Sequence, residues 1–536
     1  MKMTKTNYNI LNDCRGMYED EIFDTILEQR GIQNIDDFLN PTEDNLLPLN
    51  SLYRIDEAKD RVIKAIENNE NIAILFDTDT DGITSGAIMT RYLRHFTNNI
   101  TTHIDEGKQH GLIGQDIEQF RNANLLIIVD SLDRDTSQYK KLRDMGVDII
   151  ILDHHAIKED ESYDDYTILV SSQRNYDNPQ LSGAGVTWKF CEYLDEIYNT
   201  GLADELVDLA CCGIVADMMD MTIMENRYIV AKGLEKIYNP AIKKIVGGFE
   251  FNSTAVSFSV APIVNASNRM GKNKVAMKAF LEDENKQVLA YIKELKKCKE
   301  DQNKEVDTLL LDVLEQCDSQ LDKKMIVTYI NTEYGITGLL GNKLLEKYQR
   351  PILVLKDIGD FYVGSMRAIG VDDFRKICND SGLARTDGHE LAAGITIKKS
   401  NMEKFILYIE ETLPKLETSV SVDVDIQIDI SDVTRKLVKD IKKIDRISGT
   451  NFKPVKIFIS DIDEYEIGQM SDYKHLVIKP NNYLQIIKWN FNGSFDEMND
   501  HSMMNDKLEI VCNLDFGFLG RKFVLKAVCD EIREVA

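Results

Sequence analysis

The chain has 536 residues, 43% of them hydrophobic and only nine of them proline, and it carries a formal net charge of −26. Such a chain is globular and buries several cores, with length alone indicating about three or four domains. The charge argues against a broadly basic nucleic-acid-binding face, although a local basic groove survives easily in an acidic protein.

No apolar run approaches the roughly 20 residues of a membrane helix, and MKMTKTNYNI lacks the apolar centre of a signal peptide. A cytoplasmic address without membrane association is therefore expected. The nine cysteines (14, 191, 211, 212, 298, 317, 378, 512 and 529) include no C-x-x-C pair, so neither a zinc ribbon nor a redox motif is indicated.

Residues 18 to 41 read as a short helical segment ending at FLNP, where Pro41 stops the helix and Asn40 starts a turn. Residues 55 to 68 place Ile55, Ala58, Val62, Ala65 and Ile66 on one helical stripe. The apolar run Ile72 to Phe76 has the length of a strand buried on both faces, and it ends abruptly in DTDTDGITS. Asp77, Asp79 and Asp81 then fall where an open α/β sheet holds its ligands. Three carboxylates that close repel unless cations neutralise them, and hard oxygen ligands suit Mg²⁺ or Mn²⁺. The bland reading is a polar turn capping the next helix. A calcium loop fails on spacing, because its terminal glutamate would fall at Ile88. The string also fits a haloacid-dehalogenase-type phosphatase with Asp77 as nucleophile, and that rival stays open at this point. Ile83 to Phe96 should form a helix, with Thr84 and Ser85 near an anion-favouring cap.

The strand-then-acid pattern repeats twice. Leu125 to Val129 ends in Asp130, and DIIIL at 148 to 152 ends in Asp153, His154 and His155. A helix over Thr136 to Met145, stopped by Gly146, lies between them, so the acidic ends should share one edge of a parallel sheet. Helix capping explains each acid alone, but it explains all three poorly. The largely apolar stretch LVDLACCGIVADMMDM at 206 to 221 reads as a helix ending near Asp217. A carboxylate after so apolar a helix needs a partner or a metal, which makes Asp217 a fourth ligand region.

Residues 275 to about 318 form a long helical stretch connecting two halves. From Lys324 a second α/β pattern runs through MIVTYI, GLLGNKLLEKY, PILVLK, FYVGSMRA and GHELAAGITI to an amphipathic helix, MEKFILYIEETL. Arg367 after a strand and His389 in a glycine-alanine turn are the residues here suited to gripping an anion, although a lone turn histidine is more often structural. Residues 419 to 536 alternate like the strands of a small antiparallel barrel or sandwich.

Together these segments resemble the DHH phosphoesterase superfamily, named for the triplet that stands here as Asp153, His154 and His155. Within it the chain is similar to RecJ-type single-strand-specific 5′→3′ exonucleases. The resemblance rests on RGI and FLNP, DTDTDGITS, VDS at 129 to 131, LDHH, LSGAG, GIVAD, MENR, APIVNASNRMG at 261 to 271, GSMR at 364 to 367 and GHELAAG at 388 to 394. It disposes of the dehalogenase reading, which gives no reason for paired histidines. It implies an α/β fold in which a parallel-sheet DHH domain and a smaller α/β domain are joined by a long helix, with a C-terminal β-rich, oligonucleotide-binding (OB)-like domain. The expected boundaries are 1–54 for an N-terminal helical segment, 55–240 for the DHH domain, 241–320 for the connection, 321–418 for the substrate-binding domain and 419–536 for the OB-like domain.

The resemblance further implies that Asp79, Asp81, Asp130, His154 and Asp217 hold two divalent ions, Mn²⁺ or Mg²⁺. His155 would join them in catalysis, and Asp77 and Asp153 would support them. Water activated by the ions would attack phosphorus in line, with no covalent intermediate. Ser365, Arg367, Gly388, His389, Asn265 and Arg269 would bind substrate, although Asp387 replaces the first glycine of the family's GGH turn and Ala368 follows Arg367 where serine is usual. Gly449, Asn451 and Pro454 form a reduced version of a G-x-N-x-x-P turn. The implied ligand is single-stranded DNA, degraded to mononucleotides in recombination and repair. Single-strand-binding protein or replication and repair proteins are the implied partners, and the chain is expected to be a monomer. The alternatives are a hydrolase of short oligonucleotides, cyclic dinucleotides or pyrophosphate, and a non-catalytic DNA-binding relative. So many mutually repelling acids argue against the latter.

Overall fold

The alternation of strand Ile72–Phe76 shows why it lies at the centre of the molecule. Ile72, Ile74 and Phe76 enter one hydrophobic core while Ala73 and Leu75 enter another, so both faces are covered. A computed structural model describes residues 7–105, 111–113, 115–133, 135–157, 162–414, 421–463, 465–470, 474–491, 498, 507–519 and 522–535. The expected boundary at 418/419 lies outside the described residues. Within them, Ile72–Phe76 belongs to a five-stranded, wholly parallel sheet with Ile100–His103 on one side and Leu125–Val129, Asp148–Asp153 and Ile168–Ser171 in succession on the other. The chain reverses its direction of sheet growth between Ile72–Phe76 and Leu125–Val129, which is where an open α/β sheet forms a ligand crevice. Phe76 pairs with Val129 and Val129 with Leu152, so Asp77, Asp130 and Asp153 emerge side by side from one edge.

The helix after the aspartates starts earlier than its apolar pattern indicates, spanning Thr80–Leu93 rather than 83 to 96. Asp79 is the reason: its Oδ1 accepts the Gly82 N–H at 3.1 Å, a side-chain cap that draws the DGI residues into the first turn. Thr84 and Ser85 therefore lie buried in the second turn and not at an anion-binding cap. Gly86 allows this helix to lie directly on the sheet, because a β-carbon there would come within 2.2 Å of the Phe76 ring. The apolar stretch at 206 to 221 gives a helix over Val207–Ala216 only, and Asp217 follows its end.

Two other expected helices divide. The N-terminal segment forms Glu19–Gln29 and Ile35–Leu39, and the connecting stretch forms Asn273–Leu281 and the 34-residue helix Asn285–Asp318, separated at an extended Glu282. The longer helix covers about 50 Å. Val288, Ile292 and Leu295 enter the main core, whereas Val306, Leu309, Val313 and Cys317 enter the core of the second domain. That domain is a mixed five-stranded sheet, in the order Ala384–Gly388, Ala392–Lys398, Phe361–Arg367, Ile352–Ile358 and Ile326–Ile330. It also contains a helix, Phe374–Asp380, that the sequence pattern did not reveal.

The C-terminal region is β-rich as expected, but its seven-stranded sheet is mixed and not wholly antiparallel. Ile426–Asp429 pairs in parallel with Ile457–Ile462, and Leu484–Lys488 with Lys522–Val535. The first parallel pair follows from an unforeseen helix, Arg435–Asp445, which carries the chain back between the two strands. The N-terminal segment belongs to this region as well: Asn7–Ile10 pairs in parallel with Ser421–Val424, and one hydrophobic core runs from Ile22 and Phe38 through the DHH sheet to Phe452 and Ile459. No helix among the described residues is long and apolar enough to cross a membrane.

Candidate metal centre and cleft

The three strand ends, the start of helix Thr80–Leu93 and the end of helix Val207–Ala216 converge on one point. His154 Nε2 lies 3.2 Å from Asp130 Oδ1, 3.4 Å from Asp217 Oδ2 and 3.7 Å from Asp81 Oδ2. Three overlapping sets each bring their ligand atoms within 4.8 Å of one another: Asp130, His154 and His155; Asp81, His154 and Asp217; and Asp77, Asp79 and Asp130. Asp130 is shared by two sets and His154 by two. Asp77, expected only to support the ligands, is placed as a ligand-capable group itself.

Backbone conformation aims these groups. Asp130 adopts a left-handed φ of 56°, with its N–H still donating to the Leu152 carbonyl at 2.8 Å, so the carboxylate turns across the sheet edge. Met218, directly after Asp217, is also left-handed with φ 58°. Asp81 is held by the LSGAG segment: Ser182 Oγ donates to it at 2.9 Å, the Gly183 N–H at 2.8 Å and the Ala184 N–H at 3.0 Å. Helix Gly183–Tyr198 thus points its positive end at Asp81. Gly183 permits the approach, since a β-carbon there would lie 2.4 Å from Asp130 Oδ1. The sequence signal for this role was the Ser-Gly-Ala-Gly cap before an apolar helix.

The electrostatics are those of acids short of counter-charge. Burial, then repulsion from Asp81, Asp79, Asp77 and Asp217, pushes the Asp130 carboxyl well above its usual range. Burial, then repulsion from Asp81 and Asp79, raises Asp217 to about 8, and burial likewise raises Asp81. Burial lowers His154, so its imidazole is neutral and ready to ligate. Asp153 differs: although burial alone would raise it, His155 holds it below the ordinary carboxylate range. His155 Nδ1 lies 2.8 Å from Asp153 Oδ1, and that carboxylate raises the imidazole to about 10. The donor set fits divalent cations. It is oxygen-rich with imidazole, and Asp130 Oδ1 is fully buried with no hydrogen-bond donor among the described residues.

Across from the acids the charge reverses. Arg269 lies within electrostatic reach of Asp79, and Arg367 and Lys299 are both lowered by burial and by Arg269. Arg367 Nε donates to Asn342 Oδ1 at 2.6 Å, and Ser365 Oγ shares a hydrogen bond with Thr337 Oγ1 at 2.8 Å. Asn265 Oδ1 accepts both the N–H and the hydroxyl of Thr80, at 3.0 and 2.8 Å, so it fixes the aspartate loop directly. Gly388, with φ 132°, forms the turn that carries the exposed His389. His389 is thus outside the carboxylate cluster, in the second domain. Lys299, Asn342 and Thr337 were missed because a surface-type polar residue on a helix carries no sequence signal until tertiary packing selects its neighbours.

Comparison with known proteins bears on this arrangement. Residues 71–214 match the DHH family, N-terminal domain. The chain is 29% identical over 491 residues to the "Putative SPbeta prophage-derived single-strand DNA-specific exonuclease YorK" of Bacillus subtilis, covering 83% of this chain and 84% of that one. It is 27% identical over 425 residues to the single-stranded-DNA-specific exonuclease RecJ of Bacillus subtilis, covering 74% of this chain and 53% of that protein. Among solved structures, RecJ from Thermus thermophilus in complex with Mn²⁺ superposes with a TM-score of 0.79 at 19% identity, covering 100% of this chain and 80% of that one. The chain therefore carries a DHH-family N-terminal domain within a RecJ-like fold.

Proposed function

We propose that the protein is a metal-dependent exonuclease that hydrolyses single-stranded DNA from its 5′ end, releasing mononucleotides. The observation that carries this reading is the in-register edge of Asp77, Asp130 and Asp153, with His154 reaching Asp130, Asp81 and Asp217, set opposite Arg269 and Arg367. The names of the relatives support the substrate class, and RecJ structures in complex with Mn²⁺ and with Mg²⁺ support the cofactor.

Asp79, Asp81, Asp130, His154 and Asp217 would hold two divalent ions, with Asp77 completing the oxygen-rich side. The ions, when bound, supply the charge that acidifies an attacking water and offsets the negative charge developing on the phosphate. The chain itself orients these ligands. Ser182, Gly183 and Ala184 hold Asp81, and Asn265 holds the loop through Thr80. Asp153 Oδ1 lies 2.8 Å from His155 Nδ1 and orients that imidazole. Arg269, Arg367 and Ser365 would draw the strand's phosphates into the cleft, and the Gly388–His389 turn would bound it from the second domain. Fixed positioning of this kind removes entropy that a free encounter would have to lose in the transition state.

The test is a gel of 5′- and 3′-labelled single strands and of blunt duplex, incubated with Mn²⁺. Release of labelled mononucleotide from the 5′ end of single strands is expected. Release from the 3′ end, equal attack on duplex, or cleavage confined to dinucleotides and pyrophosphate would refute the reading.

A further inference from the structure

The aspartate loop alternates acid with threonine, and the two kinds of residue have different partners. Asp77, Asp79 and Asp81 stand in the ligand-capable sets, whereas Thr78 and Thr80 between them contact the helix Ala261–Arg269. Asn265 Oδ1 accepts the Thr80 N–H and hydroxyl, and Asn268 Nδ2 donates to Thr78 Oγ1 at 3.1 Å. Residues three apart share one face of a helix, so the two asparagines address the loop from a single stripe. At its C-terminal end the helix is itself anchored, because the Arg269 carbonyl accepts the Gly335 N–H of the second domain at 3.1 Å.

Asn268 is built differently from a residue that only supports the fold. It is 6% exposed, and its Oδ1 is buried with no hydrogen-bond partner among the described residues, so the amide is only half used. A network made for stability saturates such a group, because an unpaired buried acceptor costs free energy. The half that is used goes to the residue between two ligand-capable acids. Ligand atoms of Asp77, Asp79 and Asp130 lie within 4.8 Å of one another, so the loop has to be held against their repulsion before a cation arrives. A neutral amide holds it without supplying a counter-charge. Lysine or arginine in its place would pair with the acids and compete with the ions.

We infer that Asn268 is a positioning residue of the metal centre, acting through the Thr78 hydroxyl to set Asp77 and Asp79 for the ions. The inference rests on the metal-dependent reading proposed above and adds to it a pair of residues outside the ligand set. Asn268 and the Thr78 hydroxyl then work as a unit: removing either has the same consequence for metal binding as removing both.

Calorimetric titration with Mn²⁺ tests this on the parent protein, Asn268→Ala, Thr78→Val, Thr78→Ser and the Asn268→Ala/Thr78→Val double variant, each first shown to be folded by thermal denaturation in chelator. Loss of a residue that orients a metal ligand typically costs about 10–100-fold in affinity, so Asn268→Ala and Thr78→Val are each expected to weaken Mn²⁺ binding roughly ten-fold. The double variant should bind no more weakly than either single one, because the same hydrogen bond is lost in all three. Thr78→Ser keeps the hydroxyl and should bind like the parent. Unchanged Mn²⁺ affinity in Thr78→Val, losses that multiply in the double variant, or a Thr78→Ser protein as weak as Thr78→Val would each overturn the inference. If Asn268→Ala does not fold, the two Thr78 variants decide alone. A parent that binds no Mn²⁺ refutes the metal-dependent reading and this inference with it, whereas a parent that binds while its variants match it refutes the inference alone.

Discussion

Two buried charged clusters in the DHH domain are built on opposite principles. Around Glu225 every charge is answered: its carboxylate accepts from Lys189 Nζ at 2.8 Å, Tyr176 Oη at 2.6 Å, Asn178 Nδ2 at 2.9 Å and the Leu47 N–H at 3.2 Å. Lys189 in turn donates to the Tyr176 hydroxyl and the Leu47 carbonyl. At the aspartate edge the carboxylates repel one another, and Asp130 Oδ1 has no hydrogen-bond donor among the described residues. Glu225 and Asp130 are equally buried, each 2% exposed, so the contrast between these two carboxylates is not one of burial. A saturated network fixes structure, here tying residue 47 to helices Gly183–Tyr198 and Met224–Glu235. An unsaturated one stores electrostatic free energy that a cation releases on binding.

The sharpest break in this contrast is Asp130→Asn. Asparagine tolerates the left-handed backbone at this position, so the fold should persist. Turnover is expected to fall by about a thousand-fold or more, in keeping with several kcal/mol of lost charge stabilisation. The denaturation midpoint in excess chelator should not fall, because one member of a self-repelling set is gone. Retention of full turnover would remove Asp130 from the ligand set.

Lys189→Met asks the converse at the saturated cluster. It leaves Glu225 buried without its cation, and urea denaturation should register a loss of about 3–5 kcal/mol. Mn²⁺ affinity measured by calorimetry on the folded protein should be unchanged. A metal-affinity change with little loss of stability would mean that the two clusters are not separate.

Asp208 lies between the extremes. Its Oδ2 accepts the N–H groups of Tyr238 and Asn239 at 2.8 and 2.7 Å, but its Oδ1 is buried without a donor among the described residues. Burial raises its carboxyl to about 6, so the folded chain holds this proton more tightly than the unfolded chain does. The resulting stabilisation is fully present below about pH 4 and is lost as pH rises through 6, an amount of up to about 3 kcal/mol. Asp208→Asn should flatten this part of the stability profile, as followed by thermal denaturation from pH 4 to 7. An unaltered slope would show that Asp208 ionises at its ordinary value.

The smallest effect is expected at Met218, whose left-handed backbone follows Asp217 and whose side chain is 70% exposed. Met218→Gly removes the β-carbon penalty at some cost in unfolded-chain entropy, for a net gain of about 0.5–1 kcal/mol in urea. A loss of stability instead would show that the methionine side chain contributes more than the strain costs.

Much of the aspartate edge could be read in advance, because three apolar strands each ending in an acid leave few other arrangements. Where the helix after Asp81 begins was misread for a local reason: capping by Asp79 outweighed the apolar periodicity that starts at Ile83. The C-terminal sheet was read as antiparallel because alternation reports which face a residue occupies and says nothing of strand direction. The helix Arg435–Asp445, amphipathic and rich in lysine, is what turned two of its strands parallel.

The saturated cluster was invisible in the sequence. Lys189 and Glu225 are 36 positions apart, and each is an ordinary charged residue on a helix until packing excludes water from both. Arg227 is the same kind of case. It is buried, donates to the carbonyls of Phe38, Met221 and Ile447, and lies 3.6 Å from the centre of the Phe38 ring, so it ties together three distant parts of the chain.

The sequence by itself determined the three acid-ending strands of the parallel sheet and the order in which they are joined, though not the flanking Ile100–His103 and Ile168–Ser171, because strand length, apolar periodicity and the rule of right-handed parallel crossovers act over short stretches of chain. Tertiary structure alone decided which of the 90 acidic residues remain unpaired, which are saturated, and that residues 7–10 complete a strand pair with residues 421–424. The reason is physical. Whether a charge is compensated depends on distances of a few ångströms between groups that the chain separates by hundreds of residues, and no local pattern records those distances.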